Sequence, residues 1–371
     1  MDSLLIKNAM LLGSDGRFFP GELLAEDGII AQVGKVTGTA RRTIDAGGRY
    51  VTPGLIDAHC HVGIMEEGVG AEGDDANETS ELCTPCMRGE DGVNPFDPGF
   101  NDALEAGVTT VVTGPGSANV IGGTFCALKT LPGTLEDKLL LAPAALKAAL
   151  GENPKRLQKS KCATRMGSAA ALRAFLDRAV RAAEQEAQDG ESRIMSAVIK
   201  GELPLKIHAH RADDILTAVR ICRQYGVRYT VEHCTEGYKI ADILSKEGVR
   251  CVIGPTMITR MKVELAGLDM SNGGVLERHG IECAISTDHP ETPVSLLAAS
   301  AGFAVRGGMS REAALRAITV NPARLCGIDS RVGSLEAGKD ADIVIFDAYP
   351  LDICARAVFV AVNGKEYINK L

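Results

Sequence analysis

VTPGLIDAHCHVG, residues 51–63, decides how this chain reads. An apolar start, Leu55-Ile56, runs into Asp57, His59 and His61, each two residues from the next. Period-two strand geometry places these three side chains on one face. A buried strand face does not hold two imidazoles and a carboxylate without partners. The strand therefore ends at a surface or at a binding site, and the rest of the chain says which.

Outward from this stretch, strands and helices alternate. Residues 205–210 (LKIHAH) read as a short apolar strand. Residues 213–226 read as a helix, with Ile215, Leu216, Val219 and Cys222 at helical spacing and Gly226 at the C-terminal end. Strands follow at 228–234 (RYTVEHC), 250–254 and 281–286, with helices at 237–248, 275–280, 294–305 and 311–318. Upstream, 55–59, 108–112 and 146–150 supply further strands. Ser168 is a candidate cap for a long helix carrying Leu172, Phe175, Leu176 and Val180. Such alternation implies an α/β protein with a parallel sheet covered by helices. About eight βα units fit into residues 53–332, the size of a (β/α)8 TIM barrel. A doubly wound open sheet is the alternative, but it predicts a Gly-rich phosphate turn after its first strand, and none is there. The two ends have another rhythm: short strands broken by Gly13, Gly16, Asp27-Gly28 and Asn363-Gly364. Neither end buries much alone. Residues 1–52 and 333–371 are expected to form one composite β-sandwich domain around the barrel.

Composition narrows the function. The net charge of −8, the 4% aromatic content and the absence of Trp argue against nucleic-acid binding. No apolar run reaches membrane-spanning length, and the first residues lack a signal-peptide pattern. Eleven scattered cysteines suit a reducing compartment rather than a disulfide framework. A cytoplasmic protein acting on small molecules is the expectation. Cys83-Thr-Pro-Cys86 lies in a polar stretch without the strand-to-helix setting of a redox motif, and reads as a chance pair.

Metal-ligand residue types recur at the C-terminal ends of the barrel strands. His59 and His61 end the first, His208 and His210 end LKIHAH, His233 ends RYTVEH, and Asp288 follows IECAIS. In (β/α)8 enzymes that face carries the active site. Imidazole and carboxylate together suit zinc or another first-row divalent ion.

PGLIDAHCHVG, IHAH, VEHC and STDHP, in this order, resemble the metal-dependent amidohydrolase superfamily, nearest its imidazolonepropionase-like and dipeptidase-like branches. GSLEAGKDADIVIFD resembles the composite β-sandwich of many members. The resemblance implies one or two divalent ions, zinc first, with manganese or iron as alternatives. It implies His59 and His61 as ligands of one ion, and His208 and His233 as ligands of a second or as orienters of water and substrate. Asp288 is implied as ligand and general base toward metal-activated water. Two-metal members need a bridge from the fourth strand, and either Lys147, carboxylated by carbon dioxide, or Glu152 can supply it. His210 shares the face of His208 and is expected at the site mouth. Arg211 and Arg260 are candidates to read a substrate carboxylate, with Arg165 behind them. Deaminase-like and imidazolonepropionase-like members carry Glu where Arg211 stands. Amide hydrolysis of a dipeptide, N-acyl amino acid or cyclic amide is therefore the expected activity. Hydrolytic deamination of a heterocycle and an inactive scaffold are the alternatives. A homo-oligomer is a family expectation. His289 is expected to point away from the site, and His279 to be structural. Asp57 is expected to orient one of the first two histidines, and the long segment 66–97 to lie over the barrel mouth.

Overall fold

The computed structural model describes residues 3–185 and 189–371. The N-terminal strands are β1 (Ser3–Leu12), β2 (Phe18–Glu26), β3 (Ile29–Gly34), β4 (Arg42–Asp45) and β5 (Tyr50–Pro53). Then come β6 (Leu55–Cys60), β7 (Val108–Thr113), β8 (Ile121–Lys129), β9 (Leu139–Ala149), β10 (Leu205–Ala209), β11 (Tyr229–His233), β12 (Cys251–Ile253) and β13 (Cys283–Ile285). The C-terminal strands are β14 (Ile343–Phe346), β15 (Ala357–Val362) and β16 (Lys365–Asn369).

Strands β6 to β13 lie side by side in chain order. The two edges of that sheet meet just beyond β13. The Asp288 N–H donates to His59 O at 3.1 Å, and the His61 N–H donates to His289 O at 2.9 Å. Ile56, Val112, Phe125, Ala145, Val252 and Ala284, from six strands around the ring, pack in one cluster. Side chains from all sides meet this way only inside a barrel, so the middle of the chain is a TIM-like barrel.

One strand departs from the expected all-parallel order. Strand β8 runs antiparallel to both β7 and β9. Only residues 114–120 separate β7 from β8. A parallel crossover needs a dozen or more residues, so this connection can only make a hairpin. The long helix Arg165–Glu184 also starts earlier than expected. Its cap is Thr164, whose hydroxyl accepts the Gly167 N–H at 3.0 Å. Ser168 is buried inside the helix, and its hydroxyl donates to Thr164 O at 3.4 Å.

The terminal strands form the second sheet, in the order β16-β15-β14-β5-β1-β2-β3, with β4 also paired to β1. C-terminal β14 runs antiparallel to N-terminal β5, with Ile343 opposite Pro53. Both ends of the chain thus build one sheet domain over a core that includes Ile6, Leu23, Ile30, Val51, Ile345 and Phe359. This sheet is clamped to the barrel by buried charge. Lys129 Nζ of β8 lies 2.5 Å from Asp342 and 3.0 Å from Asp340. Loss of one partner from such a buried pair typically costs about 3–5 kcal/mol. Gly54 makes the close passage from β5 into β6: a Cβ there would sit 1.8 Å from Thr109 Oγ1. No helix among the described residues is long and apolar enough to cross a membrane.

Candidate metal centre

Short parallel strands carry the histidines to one end of the barrel. Strands β10 and β11 are in register, with Ala209 opposite His233. His233 and Asp288 adopt φ of 66° and 54°. Non-glycine residues in that region are strained by about 1–3 kcal/mol, and such strain gathers at functional positions. Here the turns mark where the strands end at the site.

The rings form a continuous cluster. His59 and His233 have centroids 5.2 Å apart, and His208 and His233 4.6 Å. His210 stacks on His233 at 4.5 Å with a 3° interplanar angle. Asp288 Oδ1 lies 3.4 Å from His61 Nε2 and 3.7 Å from His59 Nε2, and Oδ2 lies 3.8 Å from His233 Nδ1. Lys147 Nζ, on β9, is 3.2 Å from His59 Nε2. Ligand-type atoms of His59, His233 and Asp288 fall within 4.8 Å of one another, as do those of His208, His210 and His233. Six residues expected at one site, His59, His61, Lys147, His208, His233 and Asp288, are thus brought together with His210.

Four of the five rings have a distinct second contact. His61 Nδ1 is 2.7 Å from Gly114 O, and His233 Nδ1 is 2.8 Å from Gly254 O. His210 Nδ1 is 2.8 Å from Thr235 Oγ1. His59 Nδ1 lies 2.6 Å from Glu232 Oε2. The same Glu232 oxygen is 2.9 Å from Lys206 Nζ, and Lys206 is equally buried. A proton on each Nδ1 of His59, His61 and His233 leaves Nε2 as the free ligand atom, the arrangement common around bound metals. Both ring nitrogens of His208, with His210 Nε2, are buried without hydrogen-bond partners, and Glu264 Oε1 beside them pairs with the Lys262 ammonium at 3.1 Å. Orphaned polar atoms in a group of imidazoles and a carboxylate fit a divalent cation.

The electrostatics point the same way. Burial, above all, holds His59, His208, His210 and His233 well below the ordinary imidazole pKa. They are neutral at neutral pH, the form that ligates. Burial brings Lys147 down to about 8. Burial pulls Lys206 down as well, but Glu232 outweighs it and the ammonium is favoured. Burial pushes Asp288 up, yet His233, His61 and Lys147 together hold it below the usual carboxylate value.

Several expectations change. Asp57 does not orient an imidazole. It accepts the His59 backbone N–H at 3.1 Å and the Thr287 N–H at 3.2 Å, joining β6 to the segment after β13. Burial raises it to about 7. The orienter of His59 is Glu232, two strands from Lys147. Arg211 caps the helix Ala212–Tyr225 at the surface, and Asp213, two residues on, takes its guanidinium at 3.1 Å. Arg260 donates to Leu268 O at 2.6 Å, and Arg165 pairs with Asp214 at 2.9 Å. None of these three arginines lines the cavity over the histidines. Glu152 is occupied with Glu264: each carboxylate accepts the other's backbone N–H, at 3.2 and 3.3 Å. His289 is turned away, accepting the Val294 N–H at 3.2 Å. His279 pairs with Asp242 at 3.1 Å, away from the cluster.

The cavity measures about 220 Å³ and opens over His61, Lys147, His208, His233 and Asp288. Its outer wall carries Asn77, Arg156 and Lys262. Asn77 comes from the long segment 66–97. Sequence reasoning missed Lys206, Glu232, Glu264 and Arg156. For the first two a signal existed: each is a charged residue inside a fully buried stretch of a five-residue strand.

Residues 50–370 match the sequence profile of the amidohydrolase family. The chain is 26% identical to amidohydrolase tasK of Hapsidospora irregularis over 93% of its length, and it spans only 39% of that protein. It is 25% identical to imidazolonepropionase of Mesorhizobium japonicum, covering 93% of this chain and 91% of the relative. An amidohydrolase structure from Thermotoga maritima MSB8 superposes with a TM-score of 0.94 at 36% identity, covering 99% of this chain and all of that one. A prolidase structure, at 16% identity and a TM-score of 0.61, shares the fold. With the family match running through the barrel and the C-terminal strands, the chain belongs to the amidohydrolase family.

Proposed function

We propose that this amidohydrolase-family hydrolase cleaves the C–N bond of a small amide: a dipeptide, an N-acyl amino acid or a cyclic amide. The observation that carries this reading is the convergence of His61 and the neutral His59, His208 and His233 with Asp288 and buried Lys147 under one cavity. In this reading the barrel, residues 53–332, does the chemistry, and the composite domain of 1–52 and 333–371 braces it. One or two divalent ions, zinc first, are held by His59, His61, Lys147, His208, His233 and Asp288. Such ions supply Lewis-acid polarisation of a carbonyl and a lowered pKa for water.

The residues divide the remaining work. Asp288 is the most accessible of the ionisable cluster and borders the cavity, so its carboxylate takes a proton from the attacking water. It then hands that proton to the leaving nitrogen. His233, packed between His59, His208 and His210, holds its place beside Asp288. Lys147, once carboxylated, would help the β6 and β10 histidines hold the ions. Its burial supports that chemistry, since carbon dioxide adds only to a neutral amine. A cavity of about 220 Å³ favours substrates of amino-acid to dipeptide size.

The test is metal content and turnover on purified protein. Zinc, manganese or iron should copurify, a chelator should remove activity, and readdition should restore it. A panel of dipeptides, N-acyl amino acids and cyclic amides should include a hydrolysed member. Protein with no bound metal and no metal-dependent hydrolysis would falsify the reading. Ammonia release from heterocyclic amines, with no amide cleaved, would move it to deamination.

Glu232→Gln should weaken metal binding by about 10–100-fold, the usual cost of losing a carboxylate that orients a ligating histidine. Chelator competition measures this. Unchanged affinity would mean that Glu232 serves only to neutralise Lys206.

A further inference from the structure

One charge at the cavity wall is unanswered. Arg156 lies on the short helix Glu152–Leu157, which follows β9. It is exposed, borders the cavity, and pairs with no carboxylate among the described residues. The arginines nearby are engaged: Arg165 by Asp214, Arg211 by Asp213 and Arg260 by Leu268 O. Glu152, four residues before Arg156, shares its helix face and is the natural local partner. That carboxylate is committed elsewhere, accepting the Glu264 N–H at 3.2 Å.

The exchange between Glu152 and Glu264 ties this helix to the segment after β12, which carries Lys262. The Lys262 ammonium borders the same cavity and lies 3.1 Å from Glu264 Oε1. That contact fixes the ammonium at the wall and leaves it further N–H donors. The acidic residue at the rim, Glu291, does not cancel the pair. It follows β13, which stands four strands from β9 in the eight-strand ring, so it enters from the opposite wall. Asn153 adds an unused acceptor. It lies one turn before Arg156 on the same face and also borders the cavity. Its amide donates to Ser117 Oγ at 2.8 Å, while its Oδ1 accepts nothing. A guanidinium turned inward finds that oxygen ready to hold it.

We propose that Arg156 and Lys262 form a carboxylate-reading subsite, and that the substrate is a small amide with a free carboxylate: a dipeptide or an N-acyl amino acid rather than a neutral cyclic amide. The inference rests on the amide-hydrolysis reading above and narrows its substrates. The planar guanidinium matches a carboxylate with two parallel N–H···O bonds, and the ammonium adds a compact charge. Both cations border the cavity that opens over Asp288 and Lys147, and its 220 Å³ keeps an anchored carboxylate close to the scissile bond.

The experiment is steady-state kinetics of the metal-loaded, full-length enzyme on a panel of dipeptides, N-acetyl amino acids and neutral cyclic amides. Each hydrolysed acid is compared with its own C-terminal carboxamide. The wild type should prefer the free acid by about 10–100-fold in kcat/KM, mostly through KM, the scale of hydrogen bonds to a charged group. Arg156→Met should cut that preference by about tenfold, Arg156→Lys should keep part of it, and Arg156→Glu should turn it toward the carboxamide. Lys262→Met should act in the same direction. It also strips Glu264 of its partner, so the Arg156 variants decide. The proposal is overturned if the wild type cleaves acid and carboxamide alike, or cleaves only neutral cyclic amides. It is also overturned if Arg156→Met, folded by circular dichroism, leaves the ratio of acid to carboxamide unchanged, since a merely structural arginine would lower both together. Failure of the metal-loaded wild type to cleave any amide would sink the amide-hydrolysis reading itself, a result distinct from these.

Discussion

Asp288→Asn is expected to reduce kcat/KM by ~10³-fold or more on whichever amide the wild type cleaves. The exchange keeps the size of the side chain and removes its basicity and charge. General acid–base catalysis alone contributes ~10²–10⁴-fold, and a weakened metal bond adds to the loss. Asp288 suits the role because His233, His61 and Lys147 outweigh its burial and hold its pKa low. The carboxylate is therefore ionised throughout the neutral range, and activity falls only on the acid side, as pH drops through that lowered pKa. Steady-state kinetics with metal analysis on the same sample separates the two contributions. A variant with full metal and more than a tenth of wild-type activity would remove Asp288 from the base role.

Lys147→Ala should cost at least ~10²-fold in turnover, the scale of losing one electrostatic stabiliser, and should lower the metal content. Lysine with a pKa of about 8 is neutral in roughly a tenth of molecules at pH 7, against well under a thousandth for an ordinary lysine. In the proposed reading the neutral amine attacks carbon dioxide, a C–N bond forms, and one proton leaves to solvent. The product would be an anionic carbamate, a group that can hold divalent cations. A ¹³C resonance from labelled bicarbonate, absent in Lys147→Ala, reports that group directly. Formate or acetate, entering the space left by the deleted side chain, should restore part of the activity of Lys147→Ala. Lys147→Arg fills the space and cannot be carboxylated, so no rescue is expected there. Wild-type activity in Lys147→Arg would leave the carbamate without a role.

The barrel was legible because parallel strands and amphipathic helices write their periods into local sequence. The exception is β8. Its sequence, IGGTFCALK, has strand character, but Gly122 and Gly123 break the pattern, and direction depends on a connection that pairing completes. The clustered side chains were legible for a similar reason. An imidazole at the end of a short apolar strand is anomalous in one dimension, and three such strands with Asp288 make a set. Arg211 and Arg260 were misplaced because spacing does not say where a long side chain finds its partner. Asp213 and the Leu268 carbonyl were nearer than the cavity.

By itself, then, the sequence determined the barrel with its end-built sheet and the strand ends from which His59, His61, His208, His233 and Asp288 project. Those features follow from hydrophobic period and chain order, which are local. Only the tertiary structure decided what stands behind and beside these side chains. Glu232 reaches His59 across 173 residues of chain, and Glu264 meets His208 and His210 from a segment after β12. Lys147 owes its lowered pKa to burial against Phe125 and the opposite strands. Partnership, desolvation and the sharing of a lone pair depend on distance in space, and those distances exist only once the barrel has closed.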